Sequence, residues 1–143
     1  MTRLQAVFWD VDGTLADTEL NGHRPAFNQA FSDCGLDWYW NEELYSELLR
    51  IPGGRQRMQC YAEQVGAPID QALLDRLRRS KQQHYLKIAS SGTVTLRPGV
   101  SRLLQELNSA AVQQWIVTSS GRASVEALLQ SLPSELAGIF KGM

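Results

Sequence analysis

An apolar stretch at residues 4–9 empties directly into Asp10-Val11-Asp12-Gly13-Thr14-Leu15, and no other segment constrains the chain as much. Only Gln5 interrupts the stretch, which reads as a buried parallel strand. Gly13 lets the backbone leave strand geometry, so the Asp10 and Asp12 carboxylates can converge above the strand end. Two close carboxylates repel unless a cation or a shared proton lies between them. The expected resident is a hard divalent cation with oxygen ligands, Mg2+ before others.

Nucleophilic phosphoryl transfer is the chemistry that needs this pair. One aspartate attacks phosphorus and becomes an aspartyl phosphate, which splits one hard step into two easier ones. The other protonates the leaving oxygen and then activates water. The cation offsets the charge of the carboxylate and the phosphate. Asp and Gly are also common turn residues. The strand ahead of Asp10 and the Gly-Thr-Leu behind Asp12 favour the chemical reading over a plain turn.

Composition narrows the partners. With 143 residues, 43% of them hydrophobic and 20% charged, the chain suits one soluble globular domain with a sizeable core. A net charge of -1 makes no case for nucleic acid or a membrane surface, and no run approaches a membrane span. Asp10 and Asp12 break the opening run too early for a secretory signal. Cys34 and Cys60 make neither a metal cage nor a disulfide framework. A reducing compartment is therefore expected: the cytoplasm, or the plastid stroma for a plastid-derived chain.

Helical periodicity runs from 21 to 89 with short breaks. Phe27, Ala30 and Phe31 share one face, and Gly35 reads as a helix stop. A second helix is expected over 42–49, broken by Pro52-Gly53-Gly54, and a third over 55–65. Asp70 is the expected cap of a longer helix reaching residue 88, traced by Leu73, Leu74, Leu77, Lys81, His84 and Tyr85. Arg76, Arg78 and Arg79, the densest cationic group, are expected on its solvated face. His84 reads as a surface or packing residue rather than a metal ligand. Trp9, Trp38, Trp40 and Trp115 read as packing residues.

Residues 90–97 read as a polar linker or hinge, and Pro98 as part of the first turn of a helix over 99–108. A second apolar strand is expected at 112–117, followed by Thr118-Ser119-Ser120-Gly121 and a helix over 122–131. Val125, Leu128 and Leu129 are its expected buried stripe. The polar cluster offers hydroxyls and backbone N–H groups at a helix start, which suits an anion. The fold expected is α/β: a partial doubly wound parallel, Rossmann-like core with an inserted helical cap. The core comprises 1–19 and 90–143, incomplete at its C-terminal end, and the cap 20–89. Ligands of such sheets bind at the carboxyl ends of strands, where both polar clusters fall.

At Asp10 to Leu15 the chain resembles the haloacid dehalogenase-like hydrolase superfamily, whose first motif is an apolar strand followed by D-x-D-G-T. The resemblance implies Asp10 as nucleophile and Asp12 as general acid/base. It implies Mg2+ on an Asp10 carboxylate oxygen and the Asp12 backbone carbonyl. Thr118 matches the phosphate-binding residue of the second motif, with the Ser119 backbone beside it. Asp17 to Arg24 through Asn28, Gly35-Leu36-Asp37-Trp38 and Gly53-Gly54-Arg55-Gln56-Arg57 resemble the CbbY subgroup. Its members are Calvin-cycle phosphatases that act on xylulose 1,5-bisphosphate, a misfire product that inhibits Rubisco.

That subgroup implies a small phosphorylated sugar as partner, for a monomeric protein. A bisphosphate needs cations for its distal phosphate, and Arg55 and Arg57 beside Gly53 and Gly54 can supply them. Arg55 fills a slot where the subgroup has Lys. Lys81 matches a substrate-facing Lys of the cap, and Glu19 a position that accepts hydrogen bonds from sugar hydroxyls. His23 reads either as a substrate-hydroxyl contact or as a partly buried polar residue. The superfamily's third-motif Lys and fourth-motif acids would follow residues 138–143, where its third core strand begins. Glu126 and Glu135 are the late carboxylates, and neither is expected at a strand end. A partial member of the family is therefore expected, with an open sheet edge, weak Mg2+ binding and poor hydrolysis by the 143 residues alone. The alternatives are a phosphoglycolate phosphatase, a β-phosphoglucomutase-like enzyme, or an inactive remnant.

Overall fold

Two short strands, β1 (Ala6–Trp9) and β2 (Gln113–Ile116), pair in parallel with Trp9 opposite Ile116. The computed structural model describes residues 3–143. Around the strands the chain forms α1 (Arg24–Asp33), α2 (Glu42–Leu48), α3 (Gly54–Gln64), α4 (Gln71–Ser90), α5 (Val100–Ser109), α6 (Arg122–Ser131) and α7 (Ser134–Ala137). A π-helical turn, Glu19–His23, leads into α1. The chain divides into two compact units: residues 1–22 with 86–143, and residues 23–85.

The first unit is a small α/β layer structure. Its core gathers Trp9, Val11, Leu15, Val100, Leu104, Ile116, Val125 and Leu128, drawn from the strands, the loop after β1, α5 and α6. Val125 and Leu128 are buried as the helical stripe predicts. Gln114 is a polar residue in this core, only 1% exposed. Its Nε2 donates to Leu104 O at 2.9 Å and its Oε1 accepts from the Trp9 indole at 3.1 Å, so both ends are satisfied.

Four expectations for this unit are corrected. Residues 90–97 are not a free linker: Val94 is buried, Leu96 bridges Ala16, and Arg97 N donates to Leu15 O at 2.9 Å. Apolar side chains at alternate positions, 94 and 96, explain why this polar-looking stretch is held. Pro98 lies ahead of α5 rather than in its first turn. Val100 N donates to Arg97 O at 3.1 Å across a turn with Gly99 at φ 85°, the Pro-Gly arrangement of a type II turn. The β2 edge is not wholly open either, because Lys141 N donates to Gln114 O at 2.8 Å and Ile116 N to Gly142 O at 2.9 Å. Trp115 departs from its expected packing role with 36% exposure.

The second unit is helical and organised by aromatic rings. Phe27 and Phe31 of α1 stack at 6.2 Å, Trp40 lies 4.7 Å from Phe31, and Trp38 and Tyr61 meet edge to face. The Asn28 side chain brackets the Trp40 backbone, donating to its O at 2.9 Å and accepting from its N at 2.8 Å. Gly35 ends α1 with φ 76°, a left-handed conformation that glycine adopts without a steric cost. Asn41 caps α2 by accepting from Leu44 N at 2.8 Å. Asp70 caps α4 as predicted, accepting from Leu73 N at 2.7 Å, and Leu74 and Leu77 are fully buried. His84 Nε2 lies 2.6 Å from Asp33 Oδ2, an intra-unit pair in keeping with a surface residue.

Candidate active site

The exit from β1 is built by one buried side chain and one glycine. Val11 is 1% exposed, and its carbonyl accepts from Thr14 N at 3.1 Å and Leu15 N at 3.0 Å, coiling the chain directly after the strand. Gly13 takes φ 73° at this bend, and its N–H donates to Ala16 O at 2.9 Å. Asp10, at the mouth of the bend, is exposed, and Thr14 Oγ1 donates to its Oδ2 at 3.2 Å.

Asp12 is held by two hydroxyls from opposite directions in sequence. Thr18 Oγ1 donates to Asp12 Oδ1 at 2.6 Å, and Ser120 Oγ donates to Asp12 Oδ2. Parallel pairing makes the second contact possible. Val117 N donates to Trp9 O at 2.8 Å, so both strands end together and residues 118–121 lie beside the Asp10–Gly13 bend. Sequence reasoning assigned roles to Thr118 and Ser119 but none to Thr18 or Ser120. Thr18 follows the acidic motif at a distance that reveals nothing without the bend. Ser120 had only its place in a hydroxyl-rich run as a signal.

Thr118 and Ser119 precede a helix that opens where expected, at Arg122. The N-cap of this helix, α6, is Gly121, and Thr118 Oγ1 accepts from Ser120 N at 3.2 Å in a hydroxyl-closed turn. Thr118 lines a cavity of about 310 Å³ with Ser120, Arg122 and Met143. The residues present suit a small hard cation: Asp10 offers an exposed carboxylate, and Asp12, whose two carboxylate oxygens accept from Thr18 and Ser120, offers its main-chain carbonyl. Mg2+ takes only one or two carboxylates, filling its other positions with substrate phosphate and water. Among the described residues no group of three His, Cys, Asp or Glu side chains forms a metal cage.

In the helical unit a cavity of about 690 Å³ is lined by Gly53, Gly54, Arg55, Asp75 and Lys81 among others. Gly53, Gly54, Arg55 and Lys81, all expected at a binding site, are therefore brought together. Arg55 Nη1 donates to Asp75 Oδ1 at 3.2 Å, and its Nη2 donates to Gln71. Lys81 Nζ donates to His23 Nδ1 at 2.9 Å and lies 5.0 Å from the Phe27 ring and 5.1 Å from the Tyr85 ring. His23 stacks on Tyr85 at 4.0 Å, which is the partly buried polar reading of that residue.

The expectation for Arg57 is not met. The residue is 7% exposed and is not among the cavity-lining groups. Nε donates to Leu48 O at 2.9 Å, Nη1 to Tyr45 Oη at 3.4 Å and Nη2 to Ile51 O at 3.1 Å. Two residues along α3 from Arg55, the side chain points inward and ties the end of α2 to α3. Glu19 heads the π-helical turn of the first unit and lines neither cavity. Arg76, Arg78 and Arg79 are exposed on α4 as expected, and Arg78 and Arg79 also line the cavity of the helical unit.

A parallel two-strand exit, a D-x-D-G-T bend and a hydroxyl cluster locked onto its second aspartate define a class. The family model for haloacid dehalogenase-like hydrolases matches residues 4–142, and the chain belongs to that family. Within it the chain is 43% identical over 135 residues to protein CbbY of Rhodobacter capsulatus, covering 94% of this chain and 59% of that protein. A crystal structure of a CbbY mutant from Rhodobacter sphaeroides in complex with xylulose-(1,5)bisphosphate matches with a TM-score of 0.81 and 31% identity. That match covers 98% of this chain and 62% of the other. A predicted phosphoglycolate phosphatase from Haemophilus somnus shares the fold, with a TM-score of 0.82 at 19% identity. The chain spans little more than half the length of the curated CbbY proteins it matches. Among the described residues no helix is long and apolar enough to cross a membrane.

Proposed function

We propose that the chain is the nucleophile-bearing part of a Mg2+-dependent sugar-phosphate phosphatase acting through an aspartyl phosphate. The observation that carries the reading is the Ser120–Asp12 hydrogen bond, which joins the two strand-end clusters into one site. Asp10 is exposed at the strand end, as an attacking carboxylate must be. Its oxygen forms a bond to phosphorus as the phosphorus–ester oxygen bond breaks, and Asp12 delivers a proton to the departing alkoxide. Asp12 then takes a proton from water, whose oxygen attacks phosphorus and frees Asp10 and inorganic phosphate. Thr18 and Ser120 orient the Asp12 carboxylate for both proton transfers. Mg2+ would be held by the Asp10 carboxylate and the Asp12 main-chain carbonyl, and would supply neutralisation of the carboxylate and phosphate charges. Thr118 and the Ser119 backbone are the proposed phosphate contacts, and Glu19 the proposed contact to sugar hydroxyls.

The substrate proposed is xylulose 1,5-bisphosphate, on the strength of the 31%-identical CbbY mutant structure holding that compound. A second phosphate calls for cations, and Arg55 and Lys81 beside Gly53 and Gly54 are available in the helical unit's cavity. The test is phosphate release from xylulose 1,5-bisphosphate in the presence of Mg2+, with Asp10→Asn as control. Asp10→Asn is expected to abolish release while leaving thermal stability unchanged, since the side chain is exposed. Equal activity in the variant overturns the nucleophile assignment. Faster turnover of 2-phosphoglycolate, or interconversion of glucose phosphates without net phosphate release, overturns the substrate.

A further inference from the structure

We infer that Thr14 is a positioning residue for Asp10: its hydroxyl keeps Asp10 Oδ2 off phosphorus and hastens breakdown of the phosphorylated carboxyl. The inference deepens the function proposed above and rests on it, because it takes Asp10 as the attacking group. Thr14 Oγ1 donates to Asp10 Oδ2 at 3.2 Å. Among the described residues Asp10 Oδ1 accepts no hydrogen bond, and the Thr14 hydroxyl has no other partner. The two oxygens of this carboxylate are therefore unlike before any substrate arrives.

The bend after β1 makes the contact. Thr14 lies four positions beyond Asp10, and a continued strand would carry it roughly 13 Å away. Instead Val11 O accepts from Thr14 N at 3.1 Å and Gly13 takes φ 73°, which turns the chain back towards the strand end. The branched Cβ of Thr14 leaves few side-chain rotamers, so aiming the hydroxyl costs little entropy. Both side chains are exposed, so the bond serves the site rather than the core.

An oxygen whose lone pairs are free is the better nucleophile. Oδ1 therefore attacks phosphorus and becomes the bridging oxygen of the aspartyl phosphate. Oδ2 becomes the carbonyl oxygen of that anhydride and still faces Thr14. The carboxyl group is now neutral, and so is its hydrogen bond. When water attacks phosphorus, the phosphorus–Oδ1 bond breaks and its electron pair returns to the carboxylate. Negative charge spreads onto Oδ2, and a hydrogen bond to an ionised oxygen is roughly twice as strong as a neutral one. Thr14 thus stabilises the departing carboxylate more than the anhydride. The same difference opposes the first step, in which the charge is lost. The hydroxyl slows phosphorylation of Asp10 and speeds its reversal by water, which keeps the aspartyl phosphate short-lived.

The experiment treats the unaltered protein, Thr14→Val, Thr14→Ser and Asp10→Asn with radiolabelled acetyl phosphate and Mg2+. Protein-bound label is counted after acid quenching, and its loss is followed during a chase with unlabelled donor. Thr14→Val keeps the shape and removes the donor. It is expected to take up label no more slowly than the unaltered protein and to lose it about fivefold more slowly. Thr14→Ser retains a donor and should restore the faster loss. Asp10→Asn should take up no label. A purely structural role for Thr14 slows uptake and loss together and is not rescued by serine. That result, or an unchanged rate of loss in Thr14→Val, overturns the inference while leaving the aspartyl-phosphate reading intact. Absence of label from the unaltered protein, or equal label on Asp10→Asn, overturns that reading and the inference with it.

Discussion

Thr18 Oγ1 donates to Asp12 Oδ1 at 2.6 Å, and Thr18 is wholly buried. The bond fixes the orientation of a carboxylate whose other oxygen accepts from Ser120. Thr18→Val keeps the shape and removes the donor, leaving an acceptor partly without its partner. A hydrogen bond to a charged group is worth about 1.5–3 kcal/mol. We expect kcat for phosphate release to fall about tenfold or more with KM little changed, together with a lower Tm. Steady-state kinetics and a thermal melt check both, and an unchanged kcat would remove Thr18 from any positioning role.

Gly54 opens α3 in contact with the aromatic core. A Cβ there would lie 2.9 Å from Phe27 Cζ, in a ring 2% exposed and packed against Trp40 and Tyr45. Relieving that approach means shifting a ring packed against Trp40 and Tyr45, so Gly54→Ala is expected to cost about 1–3 kcal/mol by overpacking. Urea denaturation reads that cost as a lower midpoint at constant slope. Gly53→Ala differs in kind: no atom lies within 4 Å, but its φ of 80° makes an L side chain strained.

Arg57 separates a structural from a binding role. Arg57→Met keeps the apolar stem but removes the donors to Leu48 O and Ile51 O. Leaving buried acceptors without partners costs about 1–3 kcal/mol each. The prediction is a loss of several degrees in Tm with no selective rise in KM for a bisphosphate over a monophosphate. Arg57→Lys should not restore stability, because one ammonium cannot span three acceptors on two chain segments. A normal melt with a bisphosphate-specific KM defect would return Arg57 to the binding site.

Gln114 ties β1 to α5 through the core. Its amide receives the Trp9 indole at 3.1 Å and donates to Leu104 O at 2.9 Å. Gln114→Met fills similar volume but orphans both groups, so a destabilisation of about 2 kcal/mol or more is expected. Trp9 fluorescence provides the local probe, since its indole N–H loses its acceptor. Gln114→Glu retains an acceptor for Trp9 but places a charge opposite the Leu104 carbonyl and should be worse.

Local order was largely written in local pattern. The α1 stop at Gly35, the Asp70 cap of α4 and the buried stripe of α6 each depend on residues within a few positions of one another. Arg57 shows where such reasoning ends. Its neighbours along the chain, Gly53, Gly54 and Arg55, line a cavity, whereas its own guanidinium turns inward because α2 and the turn after it present three acceptors there. The 90–97 segment gives the same lesson in reverse. Its polar composition hid Val94 and Leu96, which the first unit buries or pairs.

The family of this chain and the place of its acidic motif were set by sequence alone. An apolar strand ending in D-x-D-G-T needs no distant residue to form, only a strand, a glycine with positive φ and a buried valine. Which hydroxyls seize Asp12 was decided by tertiary structure, because Ser120 lies 108 residues away and reaches it only when β2 pairs in parallel with β1. Charge is legible in a sequence, but a partner is a distance, and distances between remote residues exist only in the folded chain.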